Sequence, residues 1–409
     1  MSSGSLNIIK LWMWLGLSSL LYFCCLLLAI PVLITTISSI TLGAFLFYKG
    51  EKNIEKNNLI VIGIAAIGCY LLVDQSLELA EKHGLWDAWA IWNLHTVYLA
   101  SPEDWKLLFN NSNGAHPDYP FALPGILAYF KHLLPRANYW VAAYGIHLLT
   151  TISIPVLIYT ETYKKNIIIA GIALLLLCTN VHFVYIGVSQ LADTLLSLFF
   201  LIALIALNNS RHNPKLILTA ALFTGLCMWT KNEGIVFAGF ILLFHLKQFF
   251  SKEHRKLSII GLILPALILL LFKTLYSTPN DLLSEERRPI WELLSDTSRY
   301  SMIYQSFVGN LNLHFKSVQY AGILFLLLAI VRWKKIQWKQ LVMVLCICLT
   351  LMSVYLISPH DLEWHLATSQ DRLILQLLPA FVYVLAENFA SVATVDLPKA
   401  LLSKAELPL

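Results

Sequence analysis

Residues 86–120, WDAWAIWNLHTVYLASPEDWKLLFNNSNGAHPDYP, form the one long region in the first two-thirds of the chain that a hydrocarbon core would not accept. They hold Asp87, Glu103, Asp104 and Asp118, the imidazoles of His95 and His116, and four of the twelve tryptophans. Apolar sequence surrounds them on both sides. Polar residues this dense, set between runs long enough to cross a bilayer, mark a loop at a membrane face.

Composition fixes the class. Hydrophobic residues make up 58% of the 409, charged residues 13%, and mean hydropathy is +0.68. A soluble multi-domain chain does not have this profile. The long apolar runs lack alternation with period two, which excludes a lipid-facing β-barrel and leaves an all-α polytopic membrane protein. The seven cysteines (Cys24, Cys25, Cys69, Cys178, Cys227, Cys346 and Cys348) fall in apolar runs, where they act as small hydrophobes, so neither disulfides nor a cysteine metal site is expected. The first apolar run follows Lys10 and continues to about residue 48 without a small-residue cleavage site, which reads as retained anchor helices.

Apolar runs bounded by charge place spans at about 11–30, 32–48, 59–73, 139–160, 167–182, 191–208, 215–230, 234–249, 257–273, 318–331, 340–357 and 373–388, about twelve helices in all. Residues 1–58 form an N-terminal hairpin and its cytoplasmic loop, 59–388 the main transmembrane domain, and 389–409 a short cytoplasmic tail. With both termini inside, eighteen of the 29 lysines and arginines fall on the cytoplasmic side, as the positive-inside rule requires. The opposite side then receives seventeen of 24 acidic residues and eight of twelve histidines. The net charge of +5 therefore concerns orientation in a bilayer, not a nucleic-acid partner. Polar outer loops are expected at 74–138, 274–317 and 358–372. The first contains PFALPGILAYFKHLL (120–134), too short to span and suited to an interfacial or re-entrant helix. The second opens on turn and cap signals at Ser277, Pro279 and Asp281 ahead of amphipathic helices.

Five groups of residues carry potential chemistry. Asp87 lies among Trp86, Trp89 and Trp92; on an α-helix the last two share a face. An aromatic belt with Asp87 as a helix cap is one reading, and a partly desolvated general base beside rings that stack on sugar or prenyl groups is the other. His116-Pro117-Asp118-Tyr119-Pro120 is either a rigid turn or a set of contacts to a cation or a hydroxylated substrate. Lys231-Asn232-Glu233-Gly234 interrupts an apolar run, as a solvated turn or as a cavity where Lys231 meets phosphate and Glu233 is its partner or a ligand. Asp193 is accounted for by its place at a helix N-terminus. His365 and Arg372 belong to a dense polar loop, with Arg372 opening the last helix and facing either a lipid phosphate or a nearby carboxylate. The sequon Asn110-Asn111-Ser112 carries little weight.

DAWAIWNLH, HPDYPFALPG, WTKNEG and WHLATSQDRLILQLLP, in that order over roughly residues 70–385, resemble bacterial members of the GT-C superfamily, the group of protein O-mannosyltransferase-like and RgtA/B/C/D-like membrane glycosyltransferases. The resemblance implies an enzyme of cell-envelope glycan biosynthesis. It would take a sugar from a polyprenyl-phosphate donor on the outer face and pass it, with inversion, to a glycan, lipid or protein acceptor. By position Asp87 matches the family's acidic residue in the first outer loop, the general base. Lys231 and Arg372 would hold the departing phosphate, with Trp86, Trp89, Trp92, His116, Asp118, Tyr119, Glu233 and His365 around the substrate. Some relatives bind a divalent ion, which here Glu233, His116 or His365 would ligate; no other cofactor is implied. A transporter or flippase is the rival class. It would carry its polar residues near the midplane in paired, broken helices, whereas here they crowd the rim. A polysaccharide polymerase would favour an arginine-rich outer loop, of which Arg287 and Arg288 are only a hint.

Overall fold

A computed structural model describes residues 1–48, 59–110, 115–276, 288–333 and 336–393. The loop lysines at 49–58, the cap signals from Ser277 to Asp281, Arg287, most of the sequon and nearly all of the tail lie outside the described residues. Within them the chain is helical, with no strand. In chain order the α-helices are α1 (Ser3–Leu27), α2 (Val32–Tyr48), α3 (Leu59–Leu79), α4 (Asn93–Leu99), α5 (Ala122–Leu133), α6 (Tyr139–Thr162), α7 (Ile167–Cys178), α8 (Val181–Val188), α9 (Asp193–Asn209), α10 (Leu216–Thr230), α11 (Gly234–Phe249), α12 (Arg255–Leu275), α13 (Ile290–Ser295), α14 (Thr297–His314), α15 (Lys316–Arg332), α16 (Trp338–Val354) and α17 (Leu362–Ala393).

Each of the twelve apolar runs is helical, but length and apolarity alone qualify six as membrane spans: α1, α3, α6, α12, α16 with the turn after it, and α17. The bent pair α7 and α8, meeting at 60°, would make a seventh. Among the described residues six or seven spans pass this measure, and the expected count of about twelve is not confirmed. Helices α2, α9, α10 and α11 have 15 to 17 residues, at or below the short end of the range for a spanning helix.

Helix α9 explains why. It is apolar all round, and such a helix belongs inside a protein; from Asp193 to Leu207 every residue is buried, most at 0% exposure. It packs against α6, α8, α10 and α17. Exposed apolar surface lies on other helices, such as α2 with Leu33, Ile34, Ile37 and Ile40, and α12 with Ile259, Ile260 and Ile263. Between α10 and α12 small residues allow close approach: a Cβ on Gly261 would sit 2.6 Å from the Leu218 carbonyl oxygen.

Two expectations need correction. Of the two readings of PFALPGILAYFKHLL, an interfacial or a re-entrant helix, burial rules against the first: Phe121 to Tyr129 are buried, and α5 packs on α1, α4 and α6. Small residues admit it, since a Cβ on Gly125 would come within 2.8 Å of Ser19 Oγ. The third polar loop is largely helix as well. Helix α17 begins at Leu362, so Arg372 lies in its third turn, where the polar stretch continues an amphipathic helix beyond its apolar part. Helix α1 belongs to the core: its Trp12 Nε1 donates to Ser153 Oγ at 2.9 Å, Tyr22 OH to the Leu99 carbonyl at 2.8 Å, and Ser19 Oγ to the Phe121 carbonyl at 3.1 Å.

Candidate active site

The site lies at one end of the bundle, where the starts of α9 and α11, the end of α10, the third turn of α17 and the segment before α4 converge. Asp87 precedes a π-helical turn, Ala88–Trp92, closed by the Asn93 amide donating to the Ala88 carbonyl. It makes no side-chain cap bond. Its carboxylate instead accepts from Arg372 Nη1 at 2.5 Å. The segment is fixed from below by Gln190, itself in the left-handed region at φ 62°. Gln190 Nε2 donates to the Glu81 and Lys82 carbonyls, both at 3.1 Å, and its Oε1 accepts from Asn93 Nδ2 at 2.9 Å. Asn93 Oδ1 in turn accepts from Tyr139 OH at 2.6 Å.

The wide π turn separates the tryptophans that an α-helix would have placed together. Trp92 is buried at 1% exposure, whereas Trp89 is 53% exposed and pairs edge-on with the exposed Trp86, ring centroids 5.8 Å apart. Trp92 stacks on Tyr119 at 5.4 Å, and Tyr119 on His116 at 4.9 Å, giving a wall of three parallel rings. His116 adopts φ 51° to close this turn, with the Tyr119 amide donating to its carbonyl at 3.0 Å. Lys231 Nζ lies 6.0 Å from the centroid of the Trp92 ring, at the outer limit of a cation–π contact.

Lys231 caps the C-terminus of α10, the end of a helix that favours a cation, and Asp193 starts α9, the end that favours an anion. The two meet: Lys231 Nζ is 3.0 Å from Asp193 Oδ1 and 3.2 Å from Glu233 Oε1. Gln376 Nε2 also donates to Asp193 Oδ1, at 2.6 Å. Lys231 and Asp193 are only 4% and 1% exposed. Burial alone would lower the Lys231 pKa, but the carboxylates of Asp193 and Glu233 outweigh it and hold the ammonium above its ordinary value. Burial, reinforced by Glu233 and Asp118, likewise raises the Tyr119 hydroxyl well above the usual phenol range. The turn itself requires Gly234, whose Cβ, if present, would lie 1.8 Å from the Cys227 carbonyl oxygen.

Asp118 serves as a tie between elements. Its Oδ2 accepts from Asn232 Nδ2 at 2.7 Å, and Lys273 Nζ reaches both the Asp118 carbonyl at 2.5 Å and Asn232 Oδ1 at 2.8 Å. His365 is occupied elsewhere, Nδ1 at 2.7 Å from Ser358 Oγ and its ring 4.8 Å from that of Tyr355. The structure thus brings Asp87, Trp92, His116, Tyr119, Lys231, Glu233 and Arg372 together, with Asp118 bracing them and Trp86 and Trp89 on the exposed flank. Sequence reading missed Asp193 and Gln376 as members, because a helix N-terminus was reason enough for one and an apolar helix gave no signal for the other.

Around this cluster five buried polar atoms lack a hydrogen-bond partner: Trp92 Nε1, Asp193 Oδ2, Glu233 Oε2, Arg372 Nε and Gln376 Oε1. Buried polar groups are normally satisfied, so donors and acceptors concentrated here describe a place built for a polar, anionic or hydroxylated ligand. Among the described residues no three His, Cys, Asp or Glu side chains converge as a metal site. Glu233, His116 and His365 do not converge as three ligands.

Residues 86–283, close to half of the chain, match the model of the Alg9-like mannosyltransferase family, a GT-C type glycosyltransferase family. The matched segment starts one residue before Asp87 and includes His116, Asp118, Asp193, Lys231 and Glu233; Arg372 lies beyond it. The match implies a membrane glycosyltransferase, and within the GT-C group it falls to a different family from those the motifs resemble. No curated protein sequence and no solved structure matches the chain.

Proposed function

We propose that this protein transfers a sugar from a polyprenyl-phosphate donor to an acceptor hydroxyl on the outer face of the membrane, inverting the anomeric centre. The observation that carries the reading is the Asp87–Arg372 pair beside Lys231 and Asp193. The acceptor oxygen attacks the anomeric carbon as its proton passes to Asp87. The bond from that carbon to the phosphate oxygen breaks, and the polyprenyl phosphate leaves with its charge against Arg372 and Lys231. Arg372 is suited to this exchange, since its guanidinium presents several donors and only Nη1 is engaged by Asp87. As the phosphate draws on the cation, the Asp87 carboxylate is freed from its contact with Arg372 to take the proton. The exposed rings of Trp86 and Trp89 offer faces to the sugar or the prenyl chain.

The test is transfer by the purified protein from a panel of polyprenyl-phosphate sugars, wild type against Asp87→Asn. The variant should lose about 10²-fold or more, the scale of an absent general base; full activity would rule out the assignment of Asp87.

A further inference from the structure

A second polar cluster lies on the neighbouring face of α17, outside the site above. Asp371 precedes Arg372, and adjacent helical residues point about 100° apart. While Arg372 turns to Asp87, Asp371 Oδ2 lies 3.0 Å from His182 Nε2. The His182 ring stacks on His314, centroids 3.9 Å apart. These groups line an open groove of about 860 Å³ between two elbows of the chain, the bend from α7 to α8 and the step from α14 to α15. Asn180 joins the elbows, its Nδ2 donating to the His314 carbonyl at 3.0 Å while its Oδ1 caps α8.

The groove is amphipathic in depth. Its rim carries Val181, Leu313 and Tyr320, exposed by 57%, 77% and 58%. The side chains of His182 and Asp371 beneath are only 12% and 19% exposed. Asp371 occupies the Nε2 side of His182, which leaves Nδ1 as the ring's remaining polar atom, and Asp371 retains lone pairs of its own. Lys316, exposed, also lines the groove with its Nζ 6.0 Å from the centroid of the Tyr320 ring, but beneath it an imidazole and a carboxylate stand side by side, and these suit a hydroxyl, which both donates and accepts. We propose that this groove receives the acceptor, and that the acceptor is an amphiphile: an apolar chain along Val181, Leu313 and Tyr320, and a hydroxylated head held by His182 and Asp371. The inference rests on the transferase reading above. It gives α17 a divided role, with Arg372 turned to the donor phosphate and Asp371 to the acceptor.

The experiment uses the full chain in lipid nanodiscs and an alkyl glucoside carrying a photoreactive diazirine in its chain. Crosslinks should concentrate on residues 179–185 and 313–320. Ser317→Trp, which fills the groove from an exposed lining position, should reduce them about tenfold. The glucoside should label better than the same chain ending in an alcohol, and His182→Phe, which keeps a stacking ring, should erase that preference. Labelling as dense on the exposed faces of α2 and α12, or unchanged by Ser317→Trp, would overturn the proposal. So would displacement of the probe by a water-soluble oligosaccharide as readily as by unlabelled alkyl glucoside, since that marks a soluble acceptor. Asp87→Asn should label normally; groove labelling without transfer from any donor would sink the transferase reading and leave the groove assignment standing.

Discussion

Arg372 and Asp87 are 285 residues apart in sequence and 2.5 Å apart in space. The contact ties the first polar segment to the last helix, so neither the position of the acid nor that of the cation is set locally. The side chains of both are partly accessible, 26% for Asp87 and 16% for Arg372.

Coupling between the two should be measurable in the transfer reaction. Asp87→Asn and Arg372→Gln will each lower kcat/KM, and the double variant will lose less than the product of the two losses, by a coupling of about 0.5–3 kcal/mol. Independent losses would show that the residues act on different steps.

The Lys231–Asp193 pair governs stability. Lys231→Met leaves Asp193 buried without its cation and should cost about 3–5 kcal/mol, read as a lower thermal midpoint in detergent. Adding Asp193→Asn to it should recover much of that loss. Failure to recover would mean that Glu233 supplies the counter-charge.

Gly234→Ala should be severe for so small a change. The added methyl would lie 1.8 Å from the Cys227 carbonyl oxygen, so α11 must move off the end of α10 and Lys231 with it. Expression and thermal stability will both fall; a wild-type melting curve would contradict this geometry.

His95 gives the fold an acid limit. Its ring is wholly buried, Nε2 lies 3.1 Å from the Ala115 carbonyl, and burial lowers its pKa from 6.5 to about 4. The unfolded chain therefore binds a proton between those values that the folded chain refuses. Stability is complete above pH 6.5 and declines as pH falls toward 4, by on the order of 3 kcal/mol in all. Thermal midpoints across that window, wild type against His95→Gln, should show the slope in the wild type and its flattening in the variant.

Much of the site was legible because charge in apolar surroundings is expensive. Asp87, Lys231, Glu233 and Arg372 stand out for that reason alone, and the twelve apolar runs fall on helices as their composition demands. Pairing was not legible, because a carboxylate and a guanidinium separated by most of the chain leave no local pattern. Asp193 was hidden by an adequate local explanation, its place at a helix N-terminus. The tryptophans were assigned faces by α-helical spacing, which the π turn breaks. The start of α17 was set too late because polar residues were taken for loop, although a helix partnered by protein can carry them. The count of about twelve crossings rests on hydropathy, which does not distinguish a helix buried in protein, such as α9, from one buried in lipid.

A π turn holds one residue more than the α-helical path would need, and the turn at Ala88–Trp92 sits immediately after the proposed base. Removal of a single residue there would let the segment continue as an ordinary α-helix, with its hydrogen bonds intact and its ends nearly in place. The side chains before the deletion would then be rotated by about 100° relative to those after it. Chain length between Asp87 and Asn93, as much as the identity of any residue within it, therefore determines whether the carboxylate and the buried indole face the same chamber.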